Sequence, residues 1–239
     1  MSNDLIFAMG APGSRWSGIL RTIQMYHKCI NTSDDRKDRQ YDRHGWDKHN
    51  EKFRLYGWHR GAYFGPSHEH GQGFDDIRSN YTKESFLEEI KKPFDNWDGV
   101  KIIKSHWFAY NIDVLKEWFP DSKMIAVRYG DVYDMFAWWH FVGGWEIPYP
   151  HYDWYDNNKR MFEQIQKETD LIESAFDMKQ NRSMAEINSM LGIDPAIRSV
   201  DEMVKLDNKF EANPAHDQSL ERHLESFDRI SARLYIGII

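Results

Sequence analysis

Apolar and polar positions along this chain follow two alternating rhythms. DLIFAM, residues 4–9, is a short apolar run ending at Gly10; Pro12 and Gly13 follow, and Ile19, Leu20, Ile23 and Met25 then recur at helical spacing. The pattern predicts a strand, a Gly/Pro turn and a helix. Thr82 opens a second helical stripe on Phe86, Leu87 and Ile90 that stops at Pro93. Val100 to Ile103 predicts a strand, Ile112 to Trp118 a helix, and Lys123 to Val127 another strand. After Arg128 the run VYDMFAWWHF predicts a helix. Residues 157–178 read as an amphipathic helix whose inward positions are Met161, Ile165, Leu171, Ile172 and Phe176. SMAEINSMLG reads as a helix stopped by Gly192 and Pro195, and a last helix is expected over about 218–235. Helices alternating with short apolar strands specify the α/β class, with a parallel sheet flanked by crossover helices.

The stretch around 31–52 is dominated by Asp, Lys, Arg and His with hardly any apolar period, so an exposed excursion is expected there. Residues 53–75 mix aromatics, Gly and His and suit an ordered irregular segment or short strands over a site. No hinge divides the 239 residues, which makes a single domain over 1–239 the expectation. Aromatic residues make up 15% of the chain, enough to fill a core and still line a pocket. The formal net charge of −7 argues against a partner held through an extended nucleic-acid backbone. One cysteine, Cys29, excludes an intramolecular disulfide framework and any Cys-rich metal site, which fits a reducing compartment. No apolar run reaches the ~18–20 residues that cross a bilayer, so a soluble, cytoplasmic protein with no membrane partner is expected.

Two segments carry candidate chemistry. A turn between a first strand and its helix offers consecutive backbone N–H groups and a helix dipole to an anion. GAPGSRWS, residues 10–17, has the length and final serine of a phosphate loop but lacks the second glycine and the lysine of GxxxxGK[ST]. Spacing alone leaves phosphate binding and an ordinary Gly/Pro turn both open. The second segment, KIIKSHWFAYNIDVLKEWFPDSKMIAVRYGD, ends one strand in Lys104 and His106 and the next in Arg128. Residues two apart on an extended strand point the same way, so Lys104 and His106 are expected to share a face. A surface lysine beside a capping histidine is the competing reading.

These blocks resemble the sulfotransferase family, which moves a sulfuryl group from 3′-phosphoadenosine 5′-phosphosulfate (PAPS) to a hydroxyl or amine. The family's first turn reads P-K-S-G-T-T, and Pro12, Gly13, Ser14, Arg15, Trp16 and Ser17 stand in it here. Lys104, Ser105 and His106 match the family's K-[ST]-H in full, and KMIAVRYGDV supplies a strand ending in Arg128. Leu191, Gly192 and Ile193 look like the family's late L-G-[IL]. The resemblance spans about residues 4–139 and 184–195. It implies a P-loop NTPase-like sulfotransferase fold, PAPS as donor, 3′,5′-adenosine bisphosphate as product, and no metal. It further implies His106 as general base and Lys104 at the bridging oxygen where charge grows. Pro12 to Ser17 would hold the 5′-phosphosulfate, with Arg15 adding charge, and Arg128 would grip the 3′-phosphate as a fork of donors. Departures are Gly13 for the loop lysine, Arg15 for the loop glycine, no serine partner after Arg128, and no closing Gly/Lys segment near the C-terminus.

His68 and His70 flank Glu69 in a spacing that matches no recognised metal site, and His44, His49 and His59 are scattered. The Pro- and aromatic-rich stretch after Gly144, with Glu146, His151 and Asp153, suits a wall for a small-molecule or saccharide acceptor. Two other classes compete with the transferase. One is a P-loop-type kinase, which needs a Mg²⁺–ATP site. The other is a non-catalytic nucleotide or glycan binder on the same fold.

Overall fold

The computed structural model describes residues 4–33, 62–64, 73–141, 157–199, 201–203, 205–206 and 233–239, with backbone alone at 17, 18, 21, 22 and 141. Most of the expected polar excursion, most of 53–75, the Pro/aromatic stretch after Gly144 and most of the last expected helix lie outside the described residues. Elements run in the order β1 (Leu5–Met9), α1 (Trp16–Tyr26), a 3-10 turn (Phe74–Asp76), α2 (Ile77–Asn80), α3 (Lys83–Lys91), β2 (Lys101–Lys104) and a 3-10 helix (His106–Tyr110). They continue with α4 (Ile112–Trp118), β3 (Lys123–Tyr129), α5 (Val132–Phe141), α6 (Asn158–Ala175), β4 (Lys179–Gln180), α7 (Met184–Leu191) and β5 (Leu234–Ile238).

The sheet order is β2-β1-β3-β5-β4. β1 pairs in parallel with β2 and β3, whereas β5 runs antiparallel to both β3 and β4. The fold is therefore α/β, as the alternation of elements requires, but the sheet is mixed and not wholly parallel. Tyr235, expected in a last helix, is in a strand opposite Arg128. Outside β2 the chain at 62–64 adds a further short pairing, with Lys104 N donating to Ala62 O and Phe64 N to Lys104 O.

Strand alternation divides the core. Phe7, Met9, Ile103, Met124 and Ala126 face one way, into a cluster with α3, the 3-10 helix, α4 and the later turns of α6. Ile6, Ala8, Ile102, Ile125 and Val127 face the other, against Ile19, Leu20 and Ile23 of α1 and Ile187 and Leu191 of α7. A third group, Ala11, Val132, Met135, Met161 and Ile165, seals the end of the sheet where β1 and β3 finish. Strands buried on both faces need continuous apolar runs, and LIFAM and MIAV supply them.

Local signals set the helix ends. Thr82 and Ser85 bond reciprocally at the start of α3, and Ser183 and Glu186 do so at α7. Gly192 closes α7 in the left-handed region at φ 66°. Among the described residues no helix is long and apolar enough to cross a membrane.

Candidate functional site

The ends of β1, β2 and β3 lie at one edge of the parallel part of the sheet, and the chain leaves β1 for β2 on one side before crossing to β3 on the other. Ligands of open α/β sheets bind in such a crevice. The turn from Gly10 to Arg15 emerges here. Ser14 N donates to Ala11 O at 3.1 Å, and α1 begins at Trp16 with no side chain capping its first N–H groups. Ser14 is fully buried and its Oγ has no hydrogen-bond partner. A Cβ built on Gly10 would lie 2.6 Å from that Oγ, so the hydroxyl tucks over Gly10 on the inside of the turn.

Gly13 explains one departure from the family's loop. Its φ is +78°, and a Cβ there would lie 2.0 Å from the carbonyl oxygen of Met135 in α5. The backbone of α5 backs the turn so closely that no side chain fits, which excludes lysine at this position. Pro12 is buried and has no N–H to offer. Trp16 packs into the α1 core beside the Tyr63 ring at 5.9 Å, so its contribution to a site is limited to its backbone N–H. Ser17 is in the first turn of α1, and its side chain is outside the described residues.

Arg15 is left-handed at φ 60°, a conformation that costs a side-chain-bearing residue about 1–2 kcal/mol. Its guanidinium lies over two rings, 4.0 Å from the centroid of Tyr129 and 3.7 Å from that of Trp138. Each such contact contributes about 0.5–2 kcal/mol and the pair offsets the strain. Among the described residues the guanidinium has no hydrogen-bond acceptor, and its Nε is buried. Burial pulls its pKa below the usual arginine value, with Arg233 adding to the effect and Tyr129 and Asp134 opposing it. Asp134 is occupied elsewhere: it accepts from Asp131 N at the start of α5 and pairs with Arg233.

β2 stops at Lys104, which is fully buried and registered with Ala8. Its alternation groups it with Ile102 on the α1 side of the sheet. Ser105 caps the following turn by accepting from Trp107 N, and His106 opens the 3-10 helix. Alternation therefore ends before His106, and it does not set that ring's direction, contrary to the expectation of a shared face. His106 turns to α6: its Nδ1 is 3.3 Å from Oε1 of Glu168, both side chains are buried, and the ring lies tilted against Trp107 with 4.4 Å between centroids. Gln164 Nε2 donates to the same Oε1 at 2.6 Å and to the Tyr110 hydroxyl at 2.6 Å. Burial and the Glu168 charge push the Tyr110 hydroxyl's pKa upward. The remaining His106 Nε2 and Glu168 Oε2 are buried without partners. An Nδ1–H donated to the carboxylate would leave the lone pair of Nε2 as the base.

Glu168 was missed in the sequence. The signal is there: Met161, Ile165, Glu168 and Ile172 recur at steps of four, three and four, so an acid stands in the apolar stripe of α6. Arg128 is at the end of β3 on the side of α6 and away from Tyr129 and Arg15. Its Nη1 donates to Gly130 O at 2.7 Å, its guanidinium lies 3.9 Å over Tyr235, and Glu173 Oε1 is 3.0 Å from its Nε. That last contact is an ion pair without hydrogen-bond alignment. The structure thus groups Arg15 with the turn, His106 with Glu168, and Arg128 with Glu173 on the same α6 helix.

Among the described residues no group of three or more His, Cys, Asp or Glu is arranged to hold a metal ion. Comparison of the chain with protein-family models, with curated proteins and with solved structures finds no match. The functional reading rests on the residues alone.

Proposed function

We propose that this chain is a sulfotransferase that takes its sulfuryl group from PAPS and delivers it to a hydroxyl or amine of a small-molecule or saccharide acceptor. The observation that carries the reading is the buried His106–Glu168 couple at the end of β2, with Nδ1 against the carboxylate and Nε2 without a hydrogen-bond partner. A buried histidine with one nitrogen fixed by a carboxylate and the other unpartnered has the arrangement of a general base.

In this reading the acceptor oxygen or nitrogen attacks sulfur and gives its proton to His106 Nε2. The bond between sulfur and the bridging oxygen breaks, and adenosine bisphosphate leaves with the electron pair. Glu168 Oε1 balances the imidazolium as it forms and keeps the ring from turning, while Gln164 holds the carboxylate. The 10–17 turn receives the 5′ end of the donor at the uncapped helix start, with the Ser14 hydroxyl as an available donor. Lys104 contributes positive charge near the bridging oxygen. Gripping the 3′-phosphate through Arg128 requires it to exchange Glu173 for the ligand.

The test is release of adenosine bisphosphate from PAPS with phenol, amine and saccharide acceptors in the presence of a chelator. Turnover that survives chelation, and that falls by about 10²–10⁴-fold in His106→Ala while donor binding persists, supports the reading. Turnover confined to ATP and Mg²⁺ would make the protein a kinase. Donor binding with no turnover in the wild type would make it a non-catalytic nucleotide binder.

A further inference from the structure

Two side-chain rungs join the 3-10 helix to α6. His106 meets Glu168 and Tyr110 meets Gln164, so the partners are four residues apart on each element and run in opposite chain directions. A third contact ties the rungs together: Gln164 Nε2, which donates to the Tyr110 hydroxyl at 2.6 Å, also donates to Glu168 Oε1 at 2.6 Å. Chemistry fixes the sense of these bonds. An ionised carboxylate only accepts, so Gln164 must turn its NH₂ toward Glu168, and an NH₂ has two hydrogens. One goes to Oε1 and the other to the Tyr110 oxygen, which uses both. Oε1 receives that amide and faces His106 Nδ1 at 3.3 Å, whereas Oε2 is buried without a partner. The carboxylate is therefore held by one oxygen, the one that faces the ring.

We propose that Tyr110 is a positioning residue for the base: its hydroxyl holds the Gln164 amide, Gln164 holds Glu168 Oε1, and Oε1 keeps the proton of the neutral His106 ring on Nδ1. Burial first, and then the Glu168 charge, raise the pKa of the Tyr110 hydroxyl, so it stays a neutral phenol. The ring that carries it is confined by Trp107, 5.6 Å away between centroids, and by the Lys167 ammonium, 5.0 Å from its centroid. Packing alone does not require the hydroxyl. A phenylalanine would fill the same space and leave one N–H of Gln164 without its acceptor, free to turn away from Oε1 in search of another. The effect on turnover rests on the sulfuryl-transfer reading; the effect on the ring does not.

The experiment is nitrogen NMR of the neutral His106 ring in the full chain, in wild type, Tyr110→Phe, Gln164→Met and the double variant, with thermal unfolding to report whether each folds. Beside it, kcat and KM for PAPS are measured with whichever of the phenol, amine and saccharide acceptors turns over fastest. Loss of one hydrogen bond from the chain should lower the ratio of Nδ1–H to Nε2–H ring by about 2- to 10-fold in Tyr110→Phe, and kcat by the same factor with KM unchanged. Gln164→Met should do at least as much, and the double variant no more than Gln164→Met, because the hydroxyl acts only through the amide. If Gln164→Met does not fold, Tyr110→Phe alone decides. A tautomer ratio unmoved in Tyr110→Phe, with or without a fall in Tm, makes the second rung a packing contact; it overturns the positioning role and leaves the base reading standing. Losses that add in the double variant overturn the route through Gln164. Ratios that move as expected in a chain that does not turn over PAPS uphold the positioning of the ring and remove sulfuryl transfer. A wild-type ring protonated on Nε2 overturns both.

Discussion

Replacing Gly13 by alanine measures how tightly the turn is backed by α5. The backbone there is at φ +78°, which costs an alanine about 1–2 kcal/mol. Its Cβ would meet the Met135 carbonyl oxygen at 2.0 Å, so the turn or the helix must move by about 1 Å to reach the 3.0 Å below which real Cβ contacts essentially never fall. Met135 is fully buried in the group that joins α5 to α6, so movement there costs about 1–3 kcal/mol more. The sum is about 2–5 kcal/mol, a drop in Tm of about 4–20 °C for a chain of this length. Gly192→Ala is the internal control, because Gly192 shares the positive φ, at +66°, but has nothing within 4 Å of a Cβ. It should show the backbone cost alone. Urea and thermal unfolding followed by circular dichroism give both differences. If Gly13→Ala costs no more than Gly192→Ala, α5 does not exclude a side chain at 13 and the account of the missing lysine is wrong.

Glu168→Ala should lower turnover by about 10²-fold through loss of His106 orientation, and Glu168→Gln, which keeps an oxygen for Nδ1–H, should recover part of it. Nitrogen NMR of His106 should show Nδ1–H in wild type and a mixture of tautomers in Glu168→Ala; an unchanged tautomer rejects the couple. Stability should fall as pH drops below 6.5, the ordinary histidine value, because His27 is fully buried. Burial, helped by Arg198 and opposed by Asp194, lowers its folded pKa, so the unfolded chain takes up the proton first; stability is lost between the unfolded value and the lower folded one. His27→Phe should flatten that slope in urea unfolding across pH 5–8. Arg198→Ala should destabilise by about 2–4 kcal/mol, since the guanidinium donates to the carbonyls of Gln24, Met25, Lys28 and Ile30 at and just beyond the end of α1. A loss under about 0.5 kcal/mol, the range of an ordinary surface change, would mean that water replaces it freely.

Elements whose signals are local were legible. Ile112–Trp118 and Val132–Phe141 match the apolar period residue for residue, and Thr82, Ser183 and Gly192 mark ends that the structure caps by those same side chains and backbone angles. β5 was not legible, because LYIGI is five residues long and its strand character comes from pairing with β3, more than a hundred residues away. At the site, residue types were readable and directions were not. Alternation runs through β3 and puts Tyr129, not Arg128, on the side of α1. It ends with β2 at Lys104, so the direction of His106 is set by a 3-10 turn and by a carboxylate 62 residues further on. Glu168 escaped because an acid in an apolar stripe looks like an interruption until the helix's neighbour is known.

The two departures of the turn have one physical source in α5. The helix starts at once after β3, where Asp131 and Asp134 bond each other's backbone N–H groups and fix its entry. Starting there, it brings the Met135 carbonyl against Gly13 and the Trp138 ring against Arg15, three residues apart and so on one face. The first contact removes any side chain at 13; the second provides the surface that makes a left-handed arginine at 15 tolerable. A lysine at 13 and a glycine at 15 would fit a turn that α5 does not crowd. Gly13 and Arg15 fit this one, which carries its positive charge at position 15.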